Sequence, residues 1–140
     1  MKKVLAATLV AMLVVVTACG GSSSTGSTGG SSITSADRDK FVGTWTGHYS
    51  CPDFGVTIED KMIIEAGSGD LDLKIKIHVS AANPDTVNGT LTSATEVNVP
   101  EQSMGGGSGT AKISLQGDKL TFEATGLGTT CSGTDYQKAP

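Results

Sequence analysis

Leu71-Asp72-Leu73-Lys74-Ile75-Lys76-Ile77-His78-Val79 alternates without a break, apolar on odd numbers and polar on even ones. Successive side chains of a strand point to opposite faces, so this is one strand with a buried face and a wet face. Upstream, Ile58, Met62 and Ile64 share one parity. Taking Gly67-Ser68-Gly69-Asp70 as the turn sets Ile64 opposite Leu73, Met62 opposite Ile75 and Ile58 opposite Val79, a hairpin with one apolar face. A second hairpin reads Ala111, Ile113, Leu115 and then Leu120, Phe122, Ala124 on either side of Gly117-Asp118. Glycine in first place suits a two-residue turn that needs positive φ there, which puts Leu115 against Leu120 and Ile113 against Phe122. Weaker strand patterns fall at residues 42–51, about 86–92, about 95–99 and 130–137, and no useful helical periodicity follows residue 40. The fold class is therefore all-β, an antiparallel meander of about eight short strands. Such a meander curls to hide its two edges, so a closed or half-open barrel is expected, with a sandwich as the alternative.

The chain begins differently. Lys2 and Lys3 precede a nearly uninterrupted apolar run from Val4 to Ala18, which reads as an export signal. The run is short for a membrane span, which needs about 20 apolar residues. It ends in Val16-Thr17-Ala18-Cys19, which resembles the lipobox of bacterial lipoproteins. The resemblance implies a signal peptide over 1–18 and lipidation of Cys19, with palmitate-type acyl chains holding the mature protein to the membrane; two or three such chains anchor firmly where one does not. It also implies a cell-envelope location, with Gly20 after the cysteine favouring the outer membrane if the source has one. Residues 20–35 are almost all Gly, Ser and Thr and read as a random-coil tether with an average reach of about 20–25 Å. The expected organisation is thus signal peptide 1–18, lipidated cysteine and tether 19–36, and a folded domain 37–140. Without Lys2 and Lys3 the chain keeps eight Lys and Arg against fourteen Asp and Glu. No basic cluster is left for nucleic acid.

Once Cys19 is lipidated, Cys51 and Cys131 remain in an exported, oxidising setting and are expected to form a disulfide. Barrel closure would lay the first strand beside the last. Setting Cys51 opposite Cys131 then places Tyr49 opposite Gly133 and Trp45 opposite Gln137, so the disulfide seams the barrel. Strict alternation from Cys131 would point Asp135 inward and Tyr136 outward; a bulge near Ser132-Gly133 is needed to reverse them.

Gly43-Thr44-Trp45, at the entry to the first strand, resembles the Gly-x-Trp opening of lipocalins and small lipocalin-like bacterial lipoproteins. The resemblance implies a barrel whose Trp packs across a closed end, while the other end admits an apolar ligand. The domain is much shorter than a full lipocalin and carries neither the later lipocalin motifs nor a clear C-terminal helix.

Residues with chemistry are sparse. His48 and His78 lie opposite the apolar faces and are expected in solvent. Two histidines without a spacing motif do not make a zinc site, which wants three or four N or S ligands, so no metal is expected. Glu59, Asp60, Glu65, Asp70 and Asp72 cluster on the first hairpin and read as solubilising. Gly67-Ser68-Gly69 and Gly105-Gly106-Gly107-Ser108-Gly109 precede no helix that could meet a phosphate, Ser108 lacks the context of a nucleophile, and Asn88-Gly89-Thr90 is an idle glycosylation pattern on a bacterial export route. No catalytic set and no cofactor is expected, and the chain is not read as an enzyme. Met104-Gly105-Gly106-Gly107-Ser108-Gly109 reads as a mobile loop, a candidate gate with Met104 as an adaptable apolar contact. Trp45 and Met104 are the candidate ligand contacts. The functional reading is a membrane-tethered lipoprotein that binds a small apolar ligand or lipid. The alternative is a protein-interaction or inhibitor module acting on a periplasmic or host protein, its partner unspecified.

Overall fold

Alternation in the sequence becomes alternation of burial. Leu73, Ile75 and Ile77 are buried, while Lys74 between them is exposed. The computed structural model describes residues 32–78, 84–104, 106–126 and 128–140. The expected signal peptide, Cys19 and nearly all of the expected tether lie outside the described residues, as does Val79. Strands β1 (Gly43–Cys51), β2 (Val56–Ala66), β3 (Asp72–Ile77), β4 (Asp85–Ser93), β5 (Glu96–Met104), β6 (Gly107–Gln116), β7 (Lys119–Gly126) and β8 (Thr129–Lys138) follow in order. Each pairs antiparallel with the next, and β8 returns to β1, closing an eight-strand barrel. Closure decides against the sandwich.

The second hairpin has the expected register, Leu115 facing Leu120 and Ile113 facing Phe122, with Gly117 at φ 64°. The first slips by two residues: Ile64 faces Ile75, and Ala66 faces Leu73. Its turn includes Leu71, because the Gly67 amide donates to the Asp72 carbonyl (2.8 Å) and the Asp72 carboxylate accepts from the Gly69 amide (3.1 Å). A slip of two preserves parity, so the same side chains still enter the core. Ile58 has the inward parity but is 43% exposed. β2 pairs with β3 only from Ile63 to Ala66, which leaves Ile58 at the rim.

β5 corrects a second expectation. It runs on to Met104, and residues 104–109 are not a long loop: Met104 faces Gly107, Ser103 faces Ser108, and Gln102 faces Gly109. Pro100 has no N–H for the ladder, and the register shifts between Val99 and Gln102. The Gln102 amide takes the vacant role, donating to the Asn88 carbonyl (2.8 Å) and accepting from the Asn88 N–H (2.9 Å). A side chain therefore carries β4–β5 pairing past the proline.

One end of the barrel is plugged. Helix α1 (Ser35–Phe41) begins inside the stretch expected to be tether, and sequence periodicity does not reveal it because it is only seven residues long. The Asp37 carboxylate starts it by accepting from the Thr34 N–H (3.0 Å) and hydroxyl (2.9 Å). At its other end Phe41 is fully buried, and the Trp45 indole N–H donates to the Phe41 carbonyl at 2.8 Å. The Arg38 guanidinium reaches the Gly69 carbonyl of the β2–β3 turn.

The seam between β1 and β8 contains the anticipated disulfide, Cys51–Cys131, with Cα atoms 4.3 Å apart. Ser50 faces Ser132, but Thr46 faces Gln137 and Trp45 faces Lys138, so Trp45 sits one residue along from its expected partner. Against β7, Gly133 faces Phe122 while Tyr136 faces Leu120. The extra residue thus lies between Gly133 and Tyr136, just beyond Ser132-Gly133, and it turns Tyr136 into the core and Asp135 out to solvent.

Candidate functional site

The inward-facing residues taper in size along the barrel. Toward α1 they are Phe41, Trp45, Leu120 and Tyr136, all essentially fully buried. At the disulfide end, Gly109, Ala124 and Gly126 take the corresponding positions on β6 and β7. Eight strands enclose little more than their own side chains, so space opens only where those side chains are small. A cavity of about 220 Å³ lies there, walled by Tyr49, Ile77, His78, Met104, Ala124 and the disulfide, with Phe54 at its lip. Phe54, Val56 and Ile58 leave an exposed apolar edge beside it. Asp53 of the short 3₁₀ turn Pro52–Phe54 accepts from the Thr129 hydroxyl at 2.5 Å, fixing that lip to β8.

Below the cavity is a buried carboxylate. Asp60 is the one buried charged residue among those described. Its Oδ2 accepts from the Tyr136 hydroxyl at 2.5 Å, and its Oδ1 lies 3.0 Å from His78 Nδ1. Burial alone would raise the Asp60 carboxyl, but the hydrogen bonds from His78 and Tyr136 and the adjacent imidazole hold it below the usual carboxylate range. Tyr136 is pushed far up by burial and by Asp60, and Tyr49 is raised chiefly by burial, then by Asp60 and Asp85. Tyr49 packs edge-on against His78 with ring centroids 4.7 Å apart, and tilts against Phe122 at 5.8 Å. His78 adopts φ 55°, the one left-handed non-glycine among the described residues, a conformation that costs on the order of 1–3 kcal/mol and recurs at functional sites.

Two expectations change here. His78 is not a solvated residue: its side chain is 21% exposed, bonded to Asp60, and part of the cavity wall. Asp60 is not part of a solubilising surface cluster. Its parity with Met62 and Ile64 carried the signal, since an acid on the inward face of a strand must find partners in the core. His48 is exposed as expected, and Asp135 binds its backbone N–H (3.0 Å) and ring Nδ1 (2.9 Å). That carboxylate raises the His48 pKa and bridges the stretch where β1 and β8 lose their backbone register. A polar groove of about 410 Å³ beside this pair is open to solvent.

Met104 lines the cavity, but as the last residue of a paired strand and not as part of a gate. Trp45, the other candidate contact, is at the plugged end and outside the cavity wall, with Lys138 Nζ 5.5 Å from its ring centre. Cys19 lies outside the described residues. Among those residues no group of three or more His, Cys, Asp or Glu side chains is placed to hold a metal.

Fold and site together define a small lipocalin-like up-and-down barrel, plugged at one end and hollow at the other. No family model matches the chain, and no curated protein sequence does. Among solved structures, a single-site mutant of the fluorescent protein UnaG matches with a TM-score of 0.50 at 16% identity, covering 73% of this chain and 98% of its own. The likeness establishes the barrel fold.

Proposed function

We propose that this protein is a membrane-tethered extracytoplasmic binding module that holds a small apolar ligand in the hollow end of its barrel, and that it is not an enzyme. The cavity of about 220 Å³ carries the reading, because it is enclosed mainly by apolar side chains and opens beside an apolar lip. The lipobox-like Val16-Thr17-Ala18-Cys19 and the Gly, Ser and Thr tract after it support lipidation at Cys19 and display at the cell envelope. The exposed row Phe54, Val56 and Ile58 favours a second reading, a surface for a protein partner.

Fatty-acid labelling in the native host tests the anchor: wild type takes the label, and Cys19→Ser loses both label and processing. A labelled Cys19→Ser protein overturns it. Native mass spectrometry of the protein purified from host membranes tests the cavity. A small-molecule adduct is expected on wild type and not on Ala124→Phe, which fills the space. A retained polypeptide with no small molecule supports the second reading instead.

A further inference from the structure

His78 is held from several sides, and the manner of holding determines what its free edge offers. Asp60 accepts two hydrogen bonds, from Tyr136 and from His78 Nδ1. A carboxylate can only accept, so the hydrogen of that second bond belongs to Nδ1. The tautomer follows: in the neutral imidazole the hydrogen is on Nδ1, and Nε2 presents a bare lone pair. Tyr49, edge-on at 4.7 Å, fixes the ring plane. Among the described residues none bonds Nε2, and His78 belongs to the cavity wall. Asp85 belongs to it too.

An acceptor in the wall of an apolar cavity, with the Asp60 carboxylate behind it, opposes an anionic head group and rewards a donor. We infer that the cavity takes a small, mostly apolar molecule bearing one hydrogen-bond donor, an alcohol or an N–H compound, and that His78 Nε2 accepts its hydrogen. This rests on the cavity-binding reading above. At about 220 Å³ the space equals on the order of seven water volumes, which suits a ligand of only a handful of heavy atoms.

The test titrates wild-type protein with three probes and follows the ring-nitrogen resonances of His78. Hexan-1-ol and pentyl methyl ether are isomers, and only the alcohol has an O–H; hexanoate supplies the anion. The alcohol is expected to bind threefold to tenfold more tightly than the ether and to move the Nε2 resonance, with hexanoate weakest. His78→Phe should bring alcohol and ether to equal affinity; if that variant fails to fold, the wild-type comparison still decides. Equal binding of alcohol and ether with Nε2 unmoved, or tightest binding by hexanoate, leaves the cavity reading standing and overturns the donor. Binding by none of the three overturns both.

Discussion

At the scale of single residues, Asp60 shows how one inward-facing acid organises a site. A lone buried charge would be expelled or neutralised, but here the Tyr136 hydroxyl and His78 Nδ1 satisfy it, and it in turn orients the imidazole at the cavity. Replacing it with Asn keeps the shape but removes the charge and one accepting oxygen, so the charge-assisted bonds are lost and Tyr136 or His78 must reverse its role. Asp60→Asn should lower unfolding free energy at neutral pH by about 1.5–3 kcal/mol, the range for hydrogen bonds to a charged group, measured as a fall in the urea midpoint. The pH dependence has a definite sign. Because the folded-state pKa of Asp60 is depressed, its contribution is complete above the unfolded value near 3.9 and disappears as pH falls through the folded value. The stability gap between wild type and Asp60→Asn should therefore hold from neutral pH down to about pH 5 and narrow below about pH 4. A gap that widens in acid would contradict the ionised, hydrogen-bonded carboxylate.

At the scale of elements, two strands break their ladders and repair them with side chains. β5 passes Pro100 by lending the Gln102 amide to Asn88, and β8 passes its bulge by lending Asp135 to His48. The β8 bulge is possible only because Gly133 is small. A Cβ at that position would lie 2.5 Å from the His48 carbonyl oxygen and closer still to the Tyr136 ring that folds back over it. Since the carbonyl belongs to a paired strand, it cannot move away cheaply. Gly133→Ala should cost about 3 kcal/mol, the upper part of the overpacking range, and should loosen Tyr136, visible as a lost ring-current shift or a quenched tyrosine signal. A variant as stable as wild type, with Tyr136 unchanged, would show that the bulge does not need the glycine. The bulge itself was foreseeable, because Tyr136 and Asp135 stood on the wrong parity relative to Cys131. Its place was not, because any residue between Ser132 and Tyr136 restores the alternation equally well.

At the scale of the whole molecule, closure is the decisive event, and the Cys51–Cys131 bond ties the first strand to the last across 80 positions of sequence. The chain-entropy model values a loop of that length at about 4–5 kcal/mol, an upper figure because measured values often fall short. Total stability for such a domain is on the order of 5–15 kcal/mol. Replacing both cysteines with serine should therefore remove a large share of the denaturant resistance and leave the barrel assembled in mild conditions. Two titratable thiols in the folded, unreduced wild type would refute the pairing. The other end relies on packing, with α1, Phe41 and Trp45 filling the barrel mouth.

The sequence by itself determined which faces are buried. Leu71 to Ile77, Ala111 to Leu115 and Leu120 to Ala124 alternate so strictly that any sheet containing them must put the same side chains inward, and the two-residue slip of the first hairpin left every one of those faces unchanged. It also determined the disulfide and the need for a bulge, because parity and cysteine count are local properties of the chain. What only the tertiary structure decided is where the inward faces converge. Whether a Gly-rich run is a loop or a paired strand depends on the neighbour that supplies its hydrogen bonds, and for residues 107–109 that neighbour is β5. Whether His78 is wet or walled in depends on Asp60 of β2 and Tyr49 of β1, residues 18 and 29 positions away in the chain. The cavity arises for the same reason: Gly109, Ala124 and Gly126 are unremarkable in sequence, and they leave a space only because closure brings them to the same end of one barrel.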